Sequence, residues 1–278
     1  MACDNDGAAY SELEQAYIGQ RYAGKPTPEQ VSQTCRDYLA RIFTPARLSH
    51  AITESPFQVN FTTAIFRRDR LSRAQMLTAI AGLPLLNAVD RRAMGKVVQR
   101  GLFSAGPHPE GSPLLGQPSW DGFPTRWIAL DDQNFVPALL ASGSIPFVLA
   151  GESAIPGAGA GHHVDGGLLD YHFEVETAGP VLYPHFSADP LPGWMDRFPP
   201  FRRLSEAARA KLCLILPTDE QLAHYPGSFY PGRVDFYKHS NEQRIGRWRA
   251  TVKANAPMEA ELTACLEAGD LLRIAEAL

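Results

Sequence analysis

The sequence predicts an α/β fold, with a largely parallel central sheet flanked by helices. Two features carry that reading. Short apolar runs rich in strand formers recur along the chain, and segments with helical spacing and recognisable caps separate them. A third feature supports it: no repeat period and no low-complexity tract interrupts the pattern.

Taken in order, residues 11–22 place Leu13, Ala16 and Tyr17 on one side and read as a helix. The next helix is better marked. Thr27 is an N-cap, Pro28 takes the first helical position and Gln30 the capping-box position. Val31, Cys35, Tyr38, Leu39 and Ile42 follow at helical spacing, and Pro45 marks the exit. Residues 57–66 alternate in part and favour a strand. Residues 67–73 are a polar connection, and residues 74–100 read as helix with a break at Pro84. Gly, Pro and Ser make 107–124 a loop. Short strands are expected at 126–130, 147–149, 162–164, 181–183 and 212–216, with a short helix at 134–141. Residues 187–200 read as a Pro-rich loop. Thr218 and Gln221 cap a short helix, and residues 241–278 are helical with a break near Pro257. No linker splits the chain, so residues 1–278 are read as one domain whose C-terminal part, from about residue 241, is helical.

Composition excludes several classes. The 278 residues suffice for a sizeable core, and 45% hydrophobic with 20% charged residues is an ordinary globular balance. Lys and Arg number 26 against 30 Asp and Glu, a net charge of -4, so no nucleic-acid partner is expected. Cys3, Cys35, Cys213 and Cys265 have no metal-knuckle or redox spacing and read as free thiols of a reducing compartment. The N-terminus lacks the basic and apolar regions of a signal peptide. The longest uncharged run, 133–151, contains Pro137, Pro146 and a Ser-Gly-Ser turn, and reads as a buried helix-turn-strand passage rather than a membrane span. These features together point to the cytoplasm. Arg67, Arg68, Arg70 and Arg73, with Arg91 and Arg92 further on, flank the apolar stretch 74–89. They read either as a solvated face or as a peripheral contact with anionic lipid headgroups.

The densest signal lies between residues 138 and 170. Ala138-Leu139-Leu140-Ala141-Ser142-Gly143-Ser144-Ile145-Pro146 precedes a strand ending in His162-His163-Val164-Asp165-Gly166-Gly167. The strand fixes the backbone that carries the Asp165 carboxylate. Gly166 and Gly167 permit a sharp turn and close approach of another backbone or a substrate. Alone, Asp-Gly-Gly reads as a simple turn. With the upstream block, it resembles the C-terminal half of the patatin-like acyl hydrolases, where an Ala-Ser-x-x-Ile-Pro-like stretch precedes a strand ending in Asp-Gly-Gly. Asp121-Gly122-Phe123-Pro124-Thr125-Arg126, Asp170-Tyr171-His172-Phe173 and Tyr183-Pro184-His185-Phe186 extend the likeness toward a bacterial branch of that family.

The resemblance implies a role for each motif residue. Asp165 would be the general base of a Ser-Asp dyad, with Gly166 and Gly167 supporting its turn. The substrate would be a lipid or another carboxylic ester, and neither a metal nor an organic cofactor would be needed. The family's nucleophile sits in Gly-x-Ser-x-Gly on a tight elbow, and small flanking residues are what permit that turn. No serine here has glycine at both flanking positions: Ser104 has Leu102 before it, Ser153 has Ile155 after it, and Ser144 lies between Ser142 and Pro146. The family's Gly-rich oxyanion loop is missing as well. By this likeness the chain opens just after the serine and lacks the N-terminal strand of the family sheet. No more than trace esterase activity is expected of it. The competing expectation is an inactive chain that binds lipid or a protein partner. A separate chain supplying the missing strand and serine is a third.

Other candidates weigh less. His162, His163, Asp165 and His172 could be read as metal ligands, but adjacent strand residues face opposite ways, and no helical His-x-x-x-His is present. Ser142 and Ser144 lie where a helix ends and read as turn hydrogen bonders, and Ser104 is discounted in the same way. His172 and His185 could line the same pocket as Asp165, although satisfied histidines are the commoner case.

Overall fold

A computed structural model of the chain describes residues 7–56, 58–105, 121–173 and 179–270. Its contacts gather into two compact units. The first comprises Met1–Tyr17, Pro26–Glu176 and Leu191–Ser205, and the second Ile18–Lys25, Thr177–Pro190 and Glu206–Leu278. No linker announces this division in the sequence, because each unit is assembled from three separated stretches.

The first unit opens with α1 (Ala8–Ile18), α2 (Pro28–Ile42) and α3 (Pro45–Ser49), and a π turn follows at His50–Glu54. The Thr27 capping box forms in full: Thr27 Oγ1 accepts from the Gln30 amide, and the Gln30 side chain accepts from the Thr27 amide. β1 (Val59–Phe66) lies inside the expected strand, whose first residue, Phe57, is outside the described residues. α4 (Arg73–Val89) starts at a second capping box, Ser72 with Gln75. It runs through Pro84 rather than breaking there. A proline removes one helical hydrogen bond, but Leu83 and Asn87 are buried on either side and anchor both halves.

The expected helix over 74–100 ends early. A 3-10 turn (Arg91–Lys96) leads into β2 (Val98–Ala105). β3 (Thr125–Ala129), α5 (Phe135–Ser142), β4 (Glu152–Ser153) and β5 (His162–Asp165) complete the layer elements. Residues 147–149 form no strand. Pro146 and Leu149 make a single bridge within a turn, where Phe147 takes a positive φ of 69°. Most of the expected 107–124 loop lies outside the described residues.

The strands form one sheet in the order β3-β2-β1-β5-β4. It is mixed rather than largely parallel: β2 and β3 are parallel, whereas β1 pairs antiparallel with both β2 and β5, and β4 pairs antiparallel with β5. Alternation of strands with helices points to a largely parallel sheet. Strand patterning does not encode direction, and the helix plus 3-10 turn after β1 returns the chain antiparallel.

Helical layers cover both faces. Phe61 and Phe103 pack with Tyr38, Leu39, Phe135 and Ala138 of α2 and α5. On the other face Ala64, Phe66, Val98 and Val164 pack with Met76, Ile80 and Leu83 of α4. Covering both faces explains why Ala64, Ile65 and Phe66 of β1 and Val98, Leu102 and Phe103 of β2 are all buried.

Beside α4 lies a buried ionic network. Arg100, on β2, is wholly buried. Its Nε donates to Asp170 at 2.7 Å and its Nη2 to Asp121 at 2.9 Å and Asp170 at 2.7 Å. Arg91 donates to Asp121, to Asp170 at 3.0 Å and to the Leu169 carbonyl at 2.7 Å. Its Nε lies 3.6 Å from Asp196. Both guanidiniums stand over the Phe123 ring, 5.5 Å and 5.3 Å from its centroid. Burial pushes the Asp121 carboxyl up, but the Arg100 hydrogen bonds and charge outweigh it and hold the group below its usual range. At Asp196 burial wins, raising the carboxyl despite Arg91 and the Asn87 amide.

The second unit contains β6 (Val181–Pro184), α6 (Glu206–Arg209), β7 (Leu212–Ile215), α7 (Asp219–Ala223), α8 (Asp235–Lys238), α9 (Asn241–Ala254) and α10 (Ala256–Ala268). β6 and β7 pair in parallel. The expected break near Pro257 falls between α9 and α10, with Pro257 in the first turn of α10. Buried Arg244 donates to the carbonyls of Ile18 and Gln20 and lies over the Phe236 and Trp248 rings. The Trp248 indole donates to Asp235 at 2.8 Å. Among the described residues no helix is long and apolar enough to cross a membrane.

Removing Arg100 strands two carboxylates beside a single remaining guanidinium. Arg100→Met should therefore cost about 3–5 kcal/mol in denaturant unfolding. Arg100→Lys should recover little of it, because an ammonium cannot engage both carboxylates as the guanidinium fork does. A melt close to the parent's for Arg100→Met would show that the network contributes no net stability.

Candidate functional site

Asp165 is the last residue of β5, and its placement follows from three neighbours. On one side β1 pairs with β5, setting Thr63 opposite Asp165 and Ile65 opposite His163. On the other, the Asp165 amide donates to the Ser144 carbonyl at 2.9 Å. Ahead, Asp165 Oδ1 accepts the Gly167 amide at 2.7 Å and so caps the 3-10 turn Gly166–Leu168. The Ser-Gly-Ser-Ile-Pro block and the Asp-Gly-Gly turn, remote in sequence, are thus joined by a backbone hydrogen bond. That leaves Asp165 as a half-buried carboxylate held at a strand end.

The glycines act through sterics. A Cβ at Gly166 would fall 2.3 Å from the Thr62 carbonyl oxygen of β1. A Cβ at Gly167 would fall 2.7 Å from the Tyr171 ring and 2.9 Å from Asp165 Oδ1. Neither needs a positive φ, so close approach and not backbone conformation demands glycine here. A third glycine escaped the sequence reading: a Cβ at Gly193 would strike the Leu169 carbonyl at 1.9 Å. There the Pro192 carbonyl accepts the Tyr171 amide at 2.6 Å and ties the loop to the turn.

His163 points into the core beside the Phe103 ring, with centroids 5.8 Å apart. Its Nδ1 lies 3.0 Å from Thr63 Oγ1, and its buried Nε2 has no hydrogen-bond partner. Burial, helped by the charges of Arg126 and His162, pushes its pKa from 6.5 down to about 4. His163 is therefore a neutral core residue at pH 7. His162 turns instead to Ser153 Oγ at 3.0 Å. Ser153 also donates to the Asp69 carbonyl. The Ser153 hydroxyl is thereby held between the His162 ring and the Asp69 carbonyl.

Ser144 and Ser104 are also engaged. Ser144 is buried, and its hydroxyl donates to the Leu140 carbonyl at 2.7 Å. Ser104 lies on β2 and accepts from Gln58 at 3.1 Å. His172 belongs to the first unit and His185 to the second, where His185 Nδ1 binds Ser187. Among the described residues no group of three or more His, Cys, Asp or Glu side chains is placed to hold a metal ion.

No protein family, curated protein or solved structure matches this chain.

Asp121 and Asp170, from two of the motif stretches, meet at Arg100 and Arg91. The sequence reading missed both arginines. Arg100 was placed at a helix end and Arg91 in a solvated basic run. The available signal was an arginine inside the apolar run Val97-Val98-Gln99-Arg100-Gly101-Leu102-Phe103, since an arginine on a two-sided strand needs buried carboxylates.

Gly166→Ala should cost about 1–3 kcal/mol by forcing β1 and the turn apart. Gly143→Ala, where an added Cβ meets nothing within 4 Å, should stay within about 0.5 kcal/mol of the parent. Equal thermal midpoints for the two variants would contradict the steric account.

His163 also sets a pH dependence. Its folded pKa lies below the unfolded value, so the unfolded chain takes up the proton first. The stability tied to the neutral ring is complete above 6.5 and is lost as pH falls toward about 4. His163→Gln should flatten the stability-pH curve in that window, and an unchanged slope would remove His163 as its source.

Proposed function

We propose that this chain carries the carboxylate half of a patatin-like Ser-Asp acyl hydrolase centre, acting on lipid or other carboxylic esters. The observation that carries the reading is the Asp165 amide bound to the Ser144 carbonyl at 2.9 Å, which joins the two motif blocks on which the resemblance rests. In this reading Asp165 takes the proton of a serine hydroxyl, and the serine oxygen attacks the ester carbonyl. The alcohol leaves with a proton, and water then releases the acid from the acyl-enzyme. No metal or organic cofactor enters these steps. The free thiols of Cys35, Cys213 and Cys265 suit a reducing compartment, so we place the action in the cytoplasm.

A second reading has its own support. No serine of this chain is flanked by glycine on both sides two residues away, and Ser104, Ser144 and Ser153 all have their hydroxyls engaged. A chain with the base alone would be catalytically silent and would bind lipid or a protein partner instead.

A fluorophosphonate probe, which labels activated serines, separates the two. Residues 1–278 should take no label and hydrolyse p-nitrophenyl esters at trace rates only. Protein isolated from its native source should be labelled on a serine flanked by glycines. An unlabelled native protein would favour the silent binder, and robust hydrolysis by residues 1–278 that survives Asp165→Asn would overturn the role of Asp165.

A further inference from the structure

α4 has two apolar faces, and the structure uses only one. Met76, Ile80 and Leu83 are buried against the sheet. On the opposite side Leu77, Ala81, Leu85, Ala88 and Val89 are all exposed, Leu77 at 58%, Leu85 at 74% and Val89 at 84%. At the helical repeat these five positions fall within an arc of about 120°. No charged residue lies between Arg73 and Asp90. An uncharged helical face of this size facing water calls for an occupant.

The flanks indicate which occupant. Arg67, Arg68 and Arg70 precede the helix, Arg73 opens it, and all four are exposed. Among the described residues Arg68, Arg70 and Arg73 have no carboxylate within ion-pair distance. The local acid, Asp69, is committed, with Oδ1 accepting the Gly161 amide at 2.6 Å. Arg73 stands over the Phe147 ring at 6.0 Å. Phe147 is itself 37% exposed, so it adds apolar surface beside the arginines. A second copy of the chain fits poorly. Packing two α4 faces in parallel would set arginine cluster against arginine cluster, and packing them antiparallel would set the cluster against the Asp90–Arg92 pair, which offers it no net negative charge. An anionic surface with an apolar interior satisfies both features.

We propose that the exposed face of α4, with Arg68, Arg70 and Arg73, docks this protein on an anionic lipid surface, the helix lying in the headgroup plane with Leu77, Leu85 and Val89 toward the acyl chains. The proposal does not depend on the hydrolase reading, and its test reads binding without any ester cleavage. The full chain is co-sedimented with phosphatidylcholine vesicles, and with vesicles in which about a third of the lipid is phosphatidylserine. Binding should be confined to the anionic vesicles and should weaken as salt rises. Leu85→Glu with Val89→Glu should abolish it. Arg68→Glu with Arg70→Glu should weaken it about tenfold or more. All four positions are exposed, so both variants should melt with the parent. Three results overturn the proposal: equal binding to neutral vesicles, unchanged binding in both variants, or a self-association of the parent that the Leu85→Glu, Val89→Glu variant loses in sedimentation velocity.

Discussion

Two guanidiniums and three carboxylates buried around one phenyl ring organise the first unit. Arg100 comes from β2, Arg91 from the 3-10 turn after α4, Asp121 from the segment before β3, Asp170 from beyond the Asp-Gly-Gly turn and Asp196 from a later 3-10 turn. Five chain segments are thereby fixed to one another. Each charge would be costly in a dry interior by itself, and together they are tolerated because every guanidinium faces carboxylates, although Arg91 Nε and Asp196 Oδ2, 3.6 Å apart, make no hydrogen bond. The geometry also specifies register. Arg100 reaches Asp170 only if β2 is aligned on β1 as observed, with Ala64 opposite Arg100.

That arrangement bears on the candidate site. Asp165 and Asp170 are five residues apart, one half-open to solvent and the other almost wholly buried. The buried carboxylate anchors the far end of the turn, and the Thr62 backbone presses against its start at Gly166. Ser144 holds the Asp165 amide from the side. The role of base proposed for Asp165 requires a fixed position, and these constraints supply one without the Asp165 carboxylate itself being buried.

Legibility in the sequence varied with the range of the interaction. The α2 and α7 caps were readable because each cap is closed by residues three apart. β1, β3, β6 and β7 were readable as short apolar runs. β2 was not, since Val97, Val98, Leu102 and Phe103 continue the apolar content of α4 and Arg100 suggested a polar end. Nor was sheet direction, which depends on how α4 returns the chain. The division into two units was hidden because the second is gathered from distant stretches. At the site, Asp165, Gly166 and Gly167 were legible as a motif. The reason for Gly166, the backbone of β1 at its shoulder, was not.

The sequence by itself determined the local devices: helix starts, strand stretches, a carboxylate at a strand end and an uncharged α4 flanked by arginines. These arise from contacts a few residues apart, where residue type and spacing suffice. Tertiary structure decided the rest. It made His163 a neutral core residue, separated Arg91 from the exposed Arg68 and Arg70, and chose which face of α4 remained in water. Each of those outcomes depends on burial, and burial depends on which distant segments pack together.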